Sequence, residues 1–100
     1  MVFISSKTSK WGNMEIREIF APGYRSKTRL SQENLEAMLK ENAKTKSGAW
    51  ELHEKNGQYA AIFSVKVAAD SGGESLKTIV HGVAQMADTM EKRLTGTDDL

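Results

Sequence analysis

The sequence predicts an α+β fold: a small antiparallel sheet packed on two helices as a two-layer sandwich, in the order β-α-β-β-α with room for one extra N-terminal strand. Three observations predict it. Asn56-Gly57 lies between two alternating runs, apolar residues from Leu76 to Leu94 recur at helical spacing, and Ser31 stands ahead of a shorter helical stripe.

Val2 to Ile4 suits a short strand, and the polar run Ser5 to Lys10 suits a tail, so residues 1–12 are expected to form either a mobile tail or an edge strand. Met14 to Phe20 alternates as a half-buried strand does, with Met14, Ile16 and Phe20 on one side. Ala21-Pro22-Gly23 is expected to stop it, because proline lacks the ladder donor and Pro-Gly suits a tight turn.

Ser31 is the expected N-cap of a helix over 31–44, with Glu33 and Glu36 near its positive end and Lys40 and Lys44 near its negative end. Leu35, Met38 and Leu39 form its apolar stripe. Next comes the hairpin. A type I′ turn needs positive φ at both central residues, which Asn-Gly supplies. With Asn56-Gly57 as the turn, Lys55 faces Gln58, Leu52 faces Ala61 and Trp50 faces Phe63, and Val65 and Val67 continue that side. The other side carries Glu51, His53, Ala60, Ile62, Ser64 and Lys66. A one-residue slip would expose Trp50 and Phe63, so the register is strongly specified.

Asp70 to Glu74 turns the chain into the last helix, where Ser71 and Glu74 have capping-box spacing. Leu76, Ile79, Val80, Val83, Met86, Ala87, Met90 and Leu94 make its apolar face over residues 74–94, ending near Gly96. Residues 95–100 are expected to fray. The whole is read as a single domain over 1–100.

Composition bounds the function. One hundred residues of 11.1 kDa, 39% hydrophobic and 27% charged, suit one small core. With no cysteine, a disulfide scaffold, a thiolate metal site and thiol catalysis are excluded. No apolar run approaches the ~18–20 residues that cross a bilayer. Met1 to Lys7 lacks the pattern of a secretory signal, so the cytoplasm is the expected compartment and no membrane is expected as a partner. The net charge of +1 conceals an asymmetry. Residues 1–30 hold Lys7, Lys10, Arg17, Arg25, Lys27 and Arg29 against Glu15 and Glu18, a net +4, while residues 31–100 hold eight basic and eleven acidic groups, a net −3.

No catalytic, cofactor or metal site can be assembled. His53 and Glu51 project together from one strand side, but zinc takes three or four protein ligands. His81 borders the apolar face of the last helix. Glu33 with Glu36 and Asp88 with Glu91 are i, i+3 pairs on exposed helix surfaces, and Gly72-Gly73 precedes Glu74, which would repel a phosphate. An enzyme is therefore not expected. Two binding candidates remain. If Tyr24 to Arg29 is extended, Arg25, Lys27 and Arg29 form a three-charge strip for an anion or an acidic partner. Three charges give only weak, salt-dependent nucleic-acid binding, so a small nucleic-acid-associated regulator using residues 24–29 is the second reading. The other candidate is a partner surface. It consists of Ala60 and Ile62 on the sheet face opposite Trp50, or of Val83, Met86 and Met90 on the last helix.

From about Leu39 to Leu94, a little over half of the chain, the pattern resembles the YbjN-like family within the type III secretion chaperone-like superfamily. The resemblance runs through Asn42, Gly48-Ala49-Trp50-Glu51-Leu52, Asn56-Gly57 and Phe63-Ser64-Val65-Lys66-Val67 into a long helix with Ala87-Asp88 and Met90-Glu91. It implies an α+β domain, a homodimer, and binding of another protein or peptide segment without catalysis. No catalytic residue is carried over. The superfamily begins with a helix and its secretion chaperones tend to be acidic, whereas residues 1–30 here have strand and loop character and the chain is nearly neutral. The first reading is thus a non-enzymatic, homodimeric protein-binding or chaperone-like module.

Overall fold

A computed structural model of the chain describes residues 1–95. Six elements follow one another: β1 (Phe3–Trp11), β2 (Met14–Ser26), α1 (Gln32–Lys44), β3 (Ala49–Lys55), β4 (Gln58–Ala68) and α2 (Gly73–Thr95). The four strands form one antiparallel sheet in the order β1-β2-β4-β3. Both helices lie on one side of it, α2 against β2 and β4 and α1 against β3. This is the expected α+β arrangement with the extra N-terminal strand present.

The β3–β4 hairpin has the register expected from its turn. Trp50 pairs with Phe63, Leu52 with Ala61 and Lys55 with Gln58, while Asn56 and Gly57 take φ of 53° and 77°. The Trp50 and Phe63 rings meet at 5.4 Å. Together with Ala61 and Val65 they form the floor of the core, and Met38, Val83, Ala87, Met90 and Leu94 close it from the helices.

The N-terminal third settles one open alternative and departs from expectation at one point. Of the two alternatives for residues 1–12, the edge strand forms: β1 runs on to Trp11 along β2, with a bulge between Ile4 and Thr8. Its side chains are nearly all exposed, so backbone pairing holds the strand and leaves no apolar period in the sequence. The departure is that Pro22-Gly23 does not end β2, which pairs with β4 as far as Ser26 opposite Tyr59. A bulge between Pro22 and Tyr24 absorbs the extra residue. The proline is tolerated for a geometric reason. Both main-chain groups of Trp50 are bonded to Asn42, so Trp50 and Phe63 are a non-hydrogen-bonded pair, Phe63 turns its own groups toward Ala21, and Pro22 faces away from β4. Its missing N–H therefore falls on the outer edge, beyond the point where β1 ends opposite Phe20. Gly23 is needed by close approach: a Cβ there would lie 2.6 Å from the Trp50 ring and 3.2 Å from the Ala87 carbonyl.

The side of β2 that faces the helices carries Ile19 and Ala21, both fully buried, so Met14, Ile16 and Phe20 occupy the opposite face. In α1, Ser31 caps as expected, its hydroxyl accepting from the Asn34 N–H at 3.1 Å. The stripe is narrower than expected, since Met38 is buried but Leu39 is 69% exposed, and Leu52 on β3 is 47% exposed. Helix α1 covers only the Trp50 end of β3, which leaves both leucines outside the core. The expected capping box of α2 does not form. Ser71 Oγ donates instead to the Ala68 carbonyl at 2.7 Å, and the helix opens with the Leu76 N–H bonded to the Gly72 carbonyl. Helix α2 takes in Thr95, the first residue of the expected frayed tail 95–100, and the expected helix end near Gly96 and the rest of that tail lie outside the described residues.

Candidate functional site: the open face of the sheet

No element among the described residues covers the sheet face opposite the helices. Its side chains follow from strand parity, row by row across the sheet. Arg25, Ala60 and His53 form one row, Pro22, Ile62 and Glu51 the next, then Phe20, Ser64 and Ala49, and then Glu18 with Lys66. Phe3 on β1 pairs with Phe20, and their rings stack at 5.4 Å.

The face has two halves of different chemistry. The β1–β2 half carries two apolar groups separated by Glu18: Phe3 with Phe20, and Ile16 leading to Trp11 and Met14, a cross-strand pair at the hairpin end with Trp11 76% exposed. The other half is a shallow basin of about 410 Å³ beside the β3–β4 turn. Pro22, Ala60 and Ile62 line it, together with Arg25, His53 and Lys55. Between the halves, Ser64 is buried and its hydroxyl donates to the Glu18 carboxylate.

The charges around the basin are unequal in their partners. The Glu51 carboxylate is engaged twice, by His53 Nε2 at 2.8 Å and by Lys66 Nζ at 3.4 Å. Among the described residues, no carboxylate forms an ion pair with Arg25 or Lys55. Among the described residues, the basin thus presents two cations without a carboxylate partner over an apolar floor. A second depression shares Pro22 and Arg25 and is walled by Phe3, Tyr24 and Glu91.

The structure joins two sets of residues that the sequence left apart. Ala60 and Ile62 lie on the open face as expected, and Arg25 stands directly opposite Ala60. Arg25, Lys27 and Arg29 do not form one strip, because the strand ends at Ser26. The Ser26 hydroxyl then accepts the Thr28 N–H at 3.1 Å in a tight turn, leaving Lys27 and Arg29 exposed in the connection to α1. The helix set also divides. Val83 and Met90 are 1% and 2% exposed and belong to the chain's own core, so in this fold they are not surface residues. Met86 is half-buried and lines a groove of about 230 Å³ between α2 and the segment Thr45–Ser47.

Phe3, Phe20, Pro22 and Lys55 were missing from the sequence candidates. Phe20 had a usable signal in the alternation of Met14 to Phe20, but the apparent stop at Pro22 hid its pairing with β4. His53 and Glu51 do project together, while His81 is exposed on α2. Among the described residues no three His, Cys, Asp or Glu side chains gather as a metal site, and no helix is long and apolar enough to cross a membrane.

No protein-family model matches the chain, and no curated protein or solved structure matches it either.

Proposed function

We propose that the chain is a non-enzymatic protein-binding or chaperone-like module of the cytoplasm that works as a homodimer and contacts its partners through the open face of the sheet. The observation that carries this reading is the uncovered apolar surface from Phe3 and Phe20 to Pro22 and Ile62, on a face that a larger α+β domain would cover with another layer. The resemblance of residues 39–94 to the YbjN-like family supports it. The two halves of the face suit different tasks: the Phe3–Phe20 half suits a second copy of the chain, and the cation-rimmed basin suits another protein.

Light scattering on the purified protein, coupled to size exclusion, tests the reading. A dimer at high concentration is the expected result. A strict monomer that also retains no partner on an affinity column would overturn it.

A further inference from the structure

We infer that the basin at the β3–β4 end of the open face is a site for an acidic, extended peptide segment, in which Arg25 and Lys55 hold a carboxylate and Ala60, Ile62 and Pro22 receive the aliphatic side chain beside it. The inference rests on the protein-binding reading above and adds the chemistry of the partner.

Register places the groups. Arg25 and His53 flank Ala60 from opposite strands on the same face, about 10 Å apart at Cα by twice the strand spacing. Lys55 lies two residues beyond His53 on that side. Two long, flexible cations thus stand on opposite rims of an apolar floor. A carboxylate between them accepts from both, while Glu51 is already engaged by His53 and Lys66 and does not neutralise the pair. An extended segment returns a side chain to the same face every second residue, so an acidic residue and an aliphatic one two positions apart reach the rim and the floor together.

Charge chooses the partner. A basic segment would meet Arg25 and Lys55 uncompensated. A nucleic acid needs a longer run of phosphate contacts than this site offers, because Lys27 and Arg29 leave the face at the Ser26 turn.

The test is fluorescence anisotropy at low salt with two labelled peptides, one repeating Asp-Ser-Val-Ser, so that aspartate and valine share a face, and the other with lysine in place of aspartate. Expected are saturable binding of the aspartate peptide only, weakening as salt rises, and about tenfold weaker binding when Arg25→Ala and Lys55→Ala are combined. Reversing the rim with Arg25→Glu and Lys55→Glu should transfer the preference to the lysine peptide. That second pair keeps the test decisive if the alanine pair is unstable. Equal binding of both peptides, an unchanged affinity in the alanine pair, or displacement of the aspartate peptide by a short oligothymidylate that binds more tightly would overturn the inference. A dimer by light scattering without aspartate-peptide binding would sink this inference alone and leave the homodimer standing.

Discussion

The side-chain amide of Asn42 bonds both main-chain groups of Trp50: Oδ1 accepts the Trp50 N–H at 2.6 Å, and Nδ2 donates to the Trp50 carbonyl at 3.2 Å. A helix side chain thereby takes the place of a fifth strand at the edge of the sheet. It closes the one stretch of β3 that lies over the core and leaves the stretch around Leu52 open. The opposite end of the sheet is protected differently, by Pro22 turning its missing donor outward where β1 stops.

Replacing Asn42 by Ala removes both bonds and strands two half-buried backbone groups. The expected cost is about 1–3 kcal/mol, measured by urea unfolding. Asn42→Asp keeps the acceptor and loses the donor, so it should fall between Asn42→Ala and the parent.

Gly23 lies beneath the Trp50 ring, which itself packs on Phe63, and the Ala87 carbonyl of α2 stands close to the same glycine. Gly23→Ala should destabilise by about 1–3 kcal/mol through overpacking and should shift the near-ultraviolet circular dichroism of Trp50. Trp11 is distant at the hairpin end and exposed, so the spectral change reports mainly on the core.

Adjacent residues of α1 should respond in opposite ways. Met38→Ala empties a core position and should cost about 2–5 kcal/mol, whereas Leu39→Glu on the exposed side should stay within about 0.5 kcal/mol of the parent in the same unfolding experiment. Equal losses at the two positions would mean that α1 packs with the wider stripe its sequence suggests.

What the sequence made legible follows where burial imposed a period. The β3–β4 hairpin carries a turn with only one good solution and a face with Trp50 and Phe63, so its register could be read in full. The apolar face of α2 was equally plain. β1 could be read only as one of two alternatives, edge strand or tail, because neither of its sides is buried for most of its length and nothing selects its residues by period. β2 was cut short because the turn preference of Pro-Gly is local, while the bulge that accommodates it depends on β4, distant in sequence. The candidate site was half visible for the same reason. Ala60 and Ile62 followed from the hairpin, but their neighbours Arg25, Pro22 and Phe20 required the true length of β2.

The claim that the open sheet face, rather than the helices, is the contact surface is tested most directly by sedimentation velocity on three proteins at matched high concentration: the parent, Phe20→Glu on the open face, and Met86→Glu on α2. Circular dichroism confirms that each is folded. The account predicts a dimeric parent, a monomeric Phe20→Glu and a dimeric Met86→Glu. A dimer that survives Phe20→Glu and is lost in Met86→Glu would contradict it.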